Sequence, residues 1–182
     1  AAVNHNSSKT VLGIVVYVTD GGKHGQIMAP WWIDKDGNKS SSRVGMFWGL
    51  YMTDVPELPN LTSAAEAEAD FDSCGNTDKI VAISDVSKNQ AALATRKYAP
   101  TTEMAGKWCL PAAGILRNIQ RNWSTINATV NQVGGASIGD YRVWSSSENS
   151  YYSAWYANLN GSYLNYYNKS NVDYYVLPVL EF

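Results

Sequence analysis

The spacing of apolar residues changes character three times along the chain. From Val11 to Val18 they form a β-branched run, then Asp20-Gly21-Gly22 interrupts, and a second run returns over Gln26 to Ala29. Two such runs around a Gly-rich turn predict a β-hairpin. From Trp31 to Leu58, short apolar pieces such as VGMFWGLYM are separated by turn formers, so a loop-like region is expected. Two helical patterns follow. In NTDKIVAISDVSKNQAALATRKYA, residues 76–99, Ile80, Ile83, Ala91, Ala94 and Tyr98 fall at roughly helical spacing, with Asn76 or Thr77 as the cap. After GKWCLP, Leu116, Ile119, Trp123, Ile126 and Val130 recur at three and four residues. Pro111 suits the first turn of that second helix, and Gly134-Gly135 its end.

Beyond Tyr141 the helical period is gone. YRVWSSSE predicts a strand and a turn, and Asn160-Gly161 is a hairpin signal. YYVLPVLEF predicts a closing strand that Pro178 pushes toward an edge or a bulge. Trp155, Ala157 and Leu159 alternate with Tyr156, Asn158 and Asn160, the period of a strand with one buried face. The polar and aromatic set is expected to share the outward face. A hairpin, then two helices, then strands predicts an α+β domain over residues 10–182, behind a flexible polar tail over residues 1–9.

Composition narrows the function. The chain has 182 residues, 45% of them apolar and 16% charged, with a net charge of −2. One domain with a sizeable core fits that length, and nothing draws it to nucleic acid or to an anionic membrane. No stretch reaches the roughly 18 apolar residues that span a bilayer. The start, Ala1-Ala2-Val3-Asn4, suits a chain whose leader was removed or a domain cut from a longer protein. Twelve Tyr and seven Trp suggest recognition, because these side chains give large contact area at low entropic cost.

Catalytic and metal chemistry find little support. Cys74 and Cys109 allow one disulfide or two buried thiols, and with His5 and His24 they match no zinc spacing. His24, beside the predicted turn, reads as a surface residue. DKDGN (34–38) and DFDSCGNTD (70–78) resemble pieces of a calcium loop but lack its terminal Glu, and turn chemistry explains them. Glu66, Glu68, Asp70 and Asp72 form an acidic run, yet Ser63 and Glu66 have the spacing of a capping box at a short helix. No catalytic triad, metal cluster or phosphate loop is present in the sequence, so no enzyme activity, cofactor or metal is expected.

The segment from Asn149 to Tyr175 has a restricted alphabet: 19 of its 27 positions are Asn, Tyr, Ser or Asp. Disordered Asn-rich tracts lack the regular apolar spacing found here. Tyr, Ser and Asp are also residues reached from an Asn codon by changing one adenine. With this alphabet, several segments together resemble the variable proteins of diversity-generating retroelements, of gut bacterial or phage type, which have a C-type-lectin-like fold. GIVVYVTDGGKHGQIMAP (13–30) resembles the family's first hairpin, and GKWCLPAAGIL (106–116) the segment ahead of its second helix. VWSSSE (143–148), Ala154-Trp155, Gly161, Lys169 and YYVLPVLEF (174–182) resemble its C-terminal signature, the most specific part.

The resemblance implies two helices packed on small antiparallel sheets, with an N-terminal hairpin and a strand-rich variable region over about 144–175. It implies adenine-directed rewriting of a solvent-facing surface that binds a protein or glycan on a cell surface, displayed on a bacterium or a phage virion. The implied variable, ligand-binding positions are Asn149, Ser150, Tyr151, Tyr152, Ser153, Tyr156, Asn158, Asn160, Ser162, Tyr163, Asn165, Tyr166, Tyr167, Asn168, Ser170 and Asn171. The implied fixed frame is Trp144, Ser145, Glu148, Ala154, Trp155, Gly161, Lys169, Val176, Pro178 and Phe182. Ile115 and Leu177 depart from the family pattern, which has an acidic residue and an Arg there. The sugar-binding motifs of animal C-type lectins are absent from the sequence. A surface or adhesive domain of the same fold without diversification is the alternative. Sulfatase-activating oxidases share a related fold and use cysteines, but apart from Lys107 nothing near Cys74 or Cys109 in sequence would lower a thiol pKa.

Overall fold

A computed structural model describes residues 10–83 and 88–182 as an α+β arrangement of small antiparallel sheets and helices. The tail expected over residues 1–9, with His5, lies outside the described residues. The predicted hairpin is strands β1 (Ile14–Thr19) and β2 (His24–Met28), joined by a turn in which Asp20, Gly21 and Gly22 all have positive φ. The short pair β3 (Trp32–Ile33) and β4 (Lys39–Ser40) follows within the expected loop region. Its DKDGN turn is closed by Asp34, whose carboxylate accepts N–H groups from Asp36 and Asn38. Desolvation is the largest single influence on the Asp34 carboxyl and pushes it up, but the bonds from Asn38 and Asp36, with the nearby Lys35 charge, together outweigh it and hold the group below its usual range.

Helix α1 (Ala64–Glu68) opens on the expected capping box, with Ser63 and Glu66 each accepting the other's backbone N–H. The next predicted helix is in fact two, α2 (Ser73–Val81) and α3 (Gln90–Lys97). The cap is Asp72, accepting from the Gly75 N–H, and not Asn76 or Thr77. Those two lie inside α2 on a buried stripe of Ser73, Asn76, Thr77 and Ile80, which has helical spacing but is mostly polar. The last predicted helix is also two, α4 (Ala113–Arg121) and α5 (Trp123–Gln132), broken at Asn122. Pro111 precedes α4 rather than entering its first turn, and Gly134 ends α5 at φ +69 as expected.

The polar stripe of α2 has a purpose. The N-cap of helix α4 is Ala112, whose methyl group cannot accept a hydrogen bond, so the helix's free N–H groups are satisfied from other elements. Ser73 Oγ accepts from Ala112 N, Ser147 Oγ from Ala113 N, and the Asp70 carbonyl from Gly114 N. Ser147 Oγ in turn donates to Asp70, and Asn76 Nδ2 reaches both Asp70 and Ser146. Ser147→Ala is expected to lower stability by about 1–2 kcal/mol, read as a shift of the urea midpoint, because it orphans a buried helix-end donor.

The C-terminal strands β5 (Arg142–Ser150), β6 (Ser153–Asn158) and β7 (Leu164–Asn168) form one sheet in the order β5-β6-β7. SSSE is not a turn. It lies within β5, fully buried, where the pairing with β6 bulges, and the turn is Tyr151-Tyr152. Asn160-Gly161 sits in the expected connection from β6 to β7. Strand β8 (Val179–Glu181) follows Pro178 and takes the edge of the hairpin sheet, order β1-β2-β8. Two cores meet around these sheets. One joins α4 and α5 to β1 and to Val143, Trp155, Ala157 and Leu164; Ile115 lies within it, fully buried. The other collects Trp48, Trp108, Trp144, Tyr174 and the apolar faces of α2 and α3.

Candidate functional site

The C-terminal surface rests on a buried ion pair. Glu148 of β5 and Lys169, just past β7, have fully buried side chains in direct contact. The Lys169 ammonium also donates to the Thr53 carbonyl at 2.8 Å and lies 5.0 Å from the Trp48 ring centre. The Glu148 carboxylate accepts from the Val55 N–H at 3.2 Å. Burial pushes the Glu148 carboxyl up to about 6, against the pull of Lys169, and pulls the Lys169 ammonium down. The same partners fix the backbone. Trp48 N donates to the Lys169 carbonyl, Met46 N to Tyr174 O, and Lys169 N to Tyr152 O. Segment 45–55 thus runs against residues 169–174 so closely that a Cβ on Gly45 would lie 1.6 Å from the Val172 carbonyl oxygen.

Around this anchor the sixteen candidate positions divide by burial. Tyr151, Tyr152, Asn160, Ser162, Tyr163, Asn165, Tyr166, Tyr167 and Ser170 are exposed, while Ser150, Tyr156, Asn158, Asn168 and Asn171 are half-buried. Asn149 and Ser153 are buried, which removes them from any open recognition surface. The bulge beside Glu148 turns them inward. Asn149 Nδ2 donates to the Leu61 carbonyl, Ser153 Oγ donates to Asn149 Oδ1, and the Ser150 and Ser153 hydroxyls bond each other.

The alternation along β6 agrees with its sequence pattern, with Trp155, Ala157 and Leu159 buried between less buried neighbours. A single shared outward face does not extend to β7. That strand is the sheet edge, so Asn165, Tyr166 and Tyr167 are all exposed although adjacent residues point to opposite faces. Tyr166 packs edge-on against Trp155 at 5.2 Å, whereas Tyr167 stacks on Tyr174 at 5.7 Å. Tyr174 also meets Tyr156 and Trp144, and burial raises its hydroxyl pKa well above the usual tyrosine value. The exposed rings therefore stand on a packed aromatic base, which limits the entropy they lose on contact.

Several site amides are already used locally. Asn168 Oδ1 accepts from Ser170, Asn171 Oδ1 from Asp173 N, and Asn165 Oδ1 from the Tyr166 N–H, which blunts the open strand edge. The loop from β6 to β7 is held from below by Gln120 of α4, whose Nε2 donates to the carbonyls of Asn158 at 2.7 Å and Tyr163 at 3.0 Å. Gln120 is itself buried and bonded to Arg117, which pairs with Glu68 of α1. Sequence reading did not single out Gln120. Its signal was a polar residue one position after Ile119 on the apolar stripe of a predicted helix. Tyr51 and Met52, exposed on the segment that Lys169 anchors, were also not singled out.

Elsewhere the candidate chemistry is structural. Cys74 of α2 and Cys109 ahead of α4 form a disulfide, with Cα atoms 5.1 Å apart. Arg96 of α3 clamps the same corner, pairing with Asp78 and donating to the carbonyls of Cys74, Gly106 and Trp108. His24 is exposed at the start of β2. Among the described residues no group of three His, Cys, Asp or Glu side chains is placed to hold a metal, and no helix is long and apolar enough to cross a membrane. Comparison with protein-family models and with curated protein sequences finds no match.

Proposed function

We propose that the chain is a non-catalytic binding protein of the C-type-lectin-like kind. It recognises a protein or glycan on a cell surface through the Tyr/Asn/Ser-rich face of β6, β7 and their loops. One observation carries the reading: exposed Tyr151, Tyr152, Tyr163, Tyr166 and Tyr167 interleave in sequence with buried Trp155, Ala157, Leu159, Leu164 and Lys169. Residues with recognition chemistry thus lie outside, on a frame set by residues that do not reach solvent, as in an antibody paratope. The restricted alphabet of those positions supports their rewriting at adenines by a retroelement, and a display site on a bacterial surface or phage virion. The disulfide is compatible with such an oxidising location.

Two measurements test this. Alanine at Tyr151, Tyr166 or Tyr167 is expected to weaken binding to target cells tenfold or more per substitution, with the thermal midpoint little changed. Unchanged cell binding in all three would overturn the recognition surface. The DNA beside the gene is expected to hold a reverse transcriptase and a near-copy of the 3′ end that differs only at adenines. Its absence would leave a non-diversified adhesive domain of the same fold.

A further inference from the structure

Tyr51 and Met52 form a turn and are 48% and 58% exposed. Met52 has φ +65, in the left-handed region that residues with a Cβ seldom adopt. The turn is held from both ends by Lys169. Gly49 N donates to the Lys169 carbonyl, and the Thr53 carbonyl accepts from the Lys169 ammonium at 2.8 Å. Lys169 N also donates to the Tyr152 carbonyl, so the Tyr151-Tyr152 turn adjoins the same residue. Val172, 49% exposed, follows three positions later, with its backbone against Gly45. Five large apolar side chains that reach solvent thus gather around one buried lysine. Tyr51, Met52 and Val172 lie outside the implied variable set.

We propose that Tyr51, Met52 and Val172 are a fixed apolar anchor beside the Tyr-rich face, and that this anchor docks on a protein surface with an apolar centre and a basic rim. The inference rests on the recognition reading and adds to it the kind of partner. Burial does not account for Met52: its side chain is exposed, in a conformation that Asn or Gly adopts more readily. Backbone strain of this kind persists only where the surroundings hold it, and it gathers at binding sites. A thioether and an isopropyl group give sugar hydroxyls almost nothing to bond, so a glycan laid on them would leave polar groups unpaired. Apolar side chains of a protein leave none, and the flexible Met side chain adapts to their shapes. Charge sets the rim. Asp54 follows the turn and Asp173 follows Val172; both are exposed, and neither is in an ion pair among the described residues. The Lys169 charge beneath them is already met by Glu148. Lys or Arg on the partner complements those carboxylates. The anchor holds what target surfaces share, while the candidate variable tyrosines select among them.

The experiment selects a phage-displayed library of random dodecapeptides on the whole chain, then titrates synthetic copies of the enriched peptides. Those peptides are expected to carry Leu, Ile or Phe beside Lys or Arg. Met52→Asn and, separately, Tyr51→Ala should weaken them about tenfold. The thermal midpoint of Met52→Asn should stay or rise, because Asn fits a positive φ better. Asp54→Asn should weaken them about threefold and flatten their dependence on NaCl. Val15→Ser, at an exposed apolar residue of β1, should leave their binding unchanged. No enrichment, enriched peptides without basic residues, or binding indifferent to both Met52→Asn and Tyr51→Ala overturns the anchor. Weaker binding by Met52→Asn together with a lower thermal midpoint also overturns it, since the turn then serves the fold. The recognition reading fails separately: it falls if the Tyr151, Tyr166 and Tyr167 variants keep full cell binding, whatever the peptides do.

Discussion

Lys169→Met is expected to destabilise the fold by about 3–5 kcal/mol at pH 7.5, among the larger losses available to a single substitution here. It leaves Glu148 fully buried with only the Val55 N–H and no counter-charge. The loss should shrink on acidification, because protonation neutralises the stranded carboxylate. In the parent protein the same carboxyl has a sign that can be checked. Its folded pKa, about 6, lies above the ordinary 4.5, so the folded state takes up the proton first. Its contribution is therefore complete below about 4.5 and falls away as pH rises through about 6. Urea unfolding of the parent and of Lys169→Met at pH 5 and pH 7.5 measures both effects. Adding Glu148→Leu to Lys169→Met should recover much of the loss, since the cost comes from an unpaired charge rather than from lost attraction.

Opening the disulfide is expected to cost about 3–4 kcal/mol, the loop-closure entropy for cysteines 35 residues apart. Urea titrations with and without reductant, or of Cys74→Ser with Cys109→Ser, give the number. The corner should loosen without coming apart, because Arg96 still bridges α3, α2 and the segment ahead of α4. Binding by the Tyr-rich face is expected to survive reduction under conditions where the chain stays folded. The bridge lies at α2 and the segment ahead of α4, whereas the exposed tyrosines rest on Trp155, Tyr174 and Lys169.

The Ser63–Glu66 spacing made the capping box legible in the sequence and Pro178 the edge position of β8, while hydrophobic periodicity revealed the first hairpin and the buried side of β6. It failed where burial is polar. Helix α2 buries Ser73, Asn76 and Thr77, so a search for apolar stripes starts the helix too late and gives it the wrong cap. SSSE read as a turn for the same reason: serines suggest solvent, yet these fill a bulge and cap a helix distant in sequence. The break at Asn122 was hidden because the apolar spacing runs through it from Leu116 to Val130. In the candidate site, the identities of the exposed tyrosines were readable. The inward turn of Asn149 and Ser153 was not, because it follows from β-bulges that no local residue pattern announces.

Strand β8 pairs with β2, and Gln26 bonds Glu181 across 155 positions of chain. That closure has a kinetic consequence. The hairpin sheet cannot be completed until nearly the whole described chain has left the ribosome, and the strands of the Tyr-rich face emerge late as well. Contacts of such long range slow folding to roughly milliseconds to seconds and leave partly built sheet edges open in the meantime. Nascent chains halted before residue 179 should therefore engage chaperones and fall to protease, even with every exposed tyrosine already synthesised.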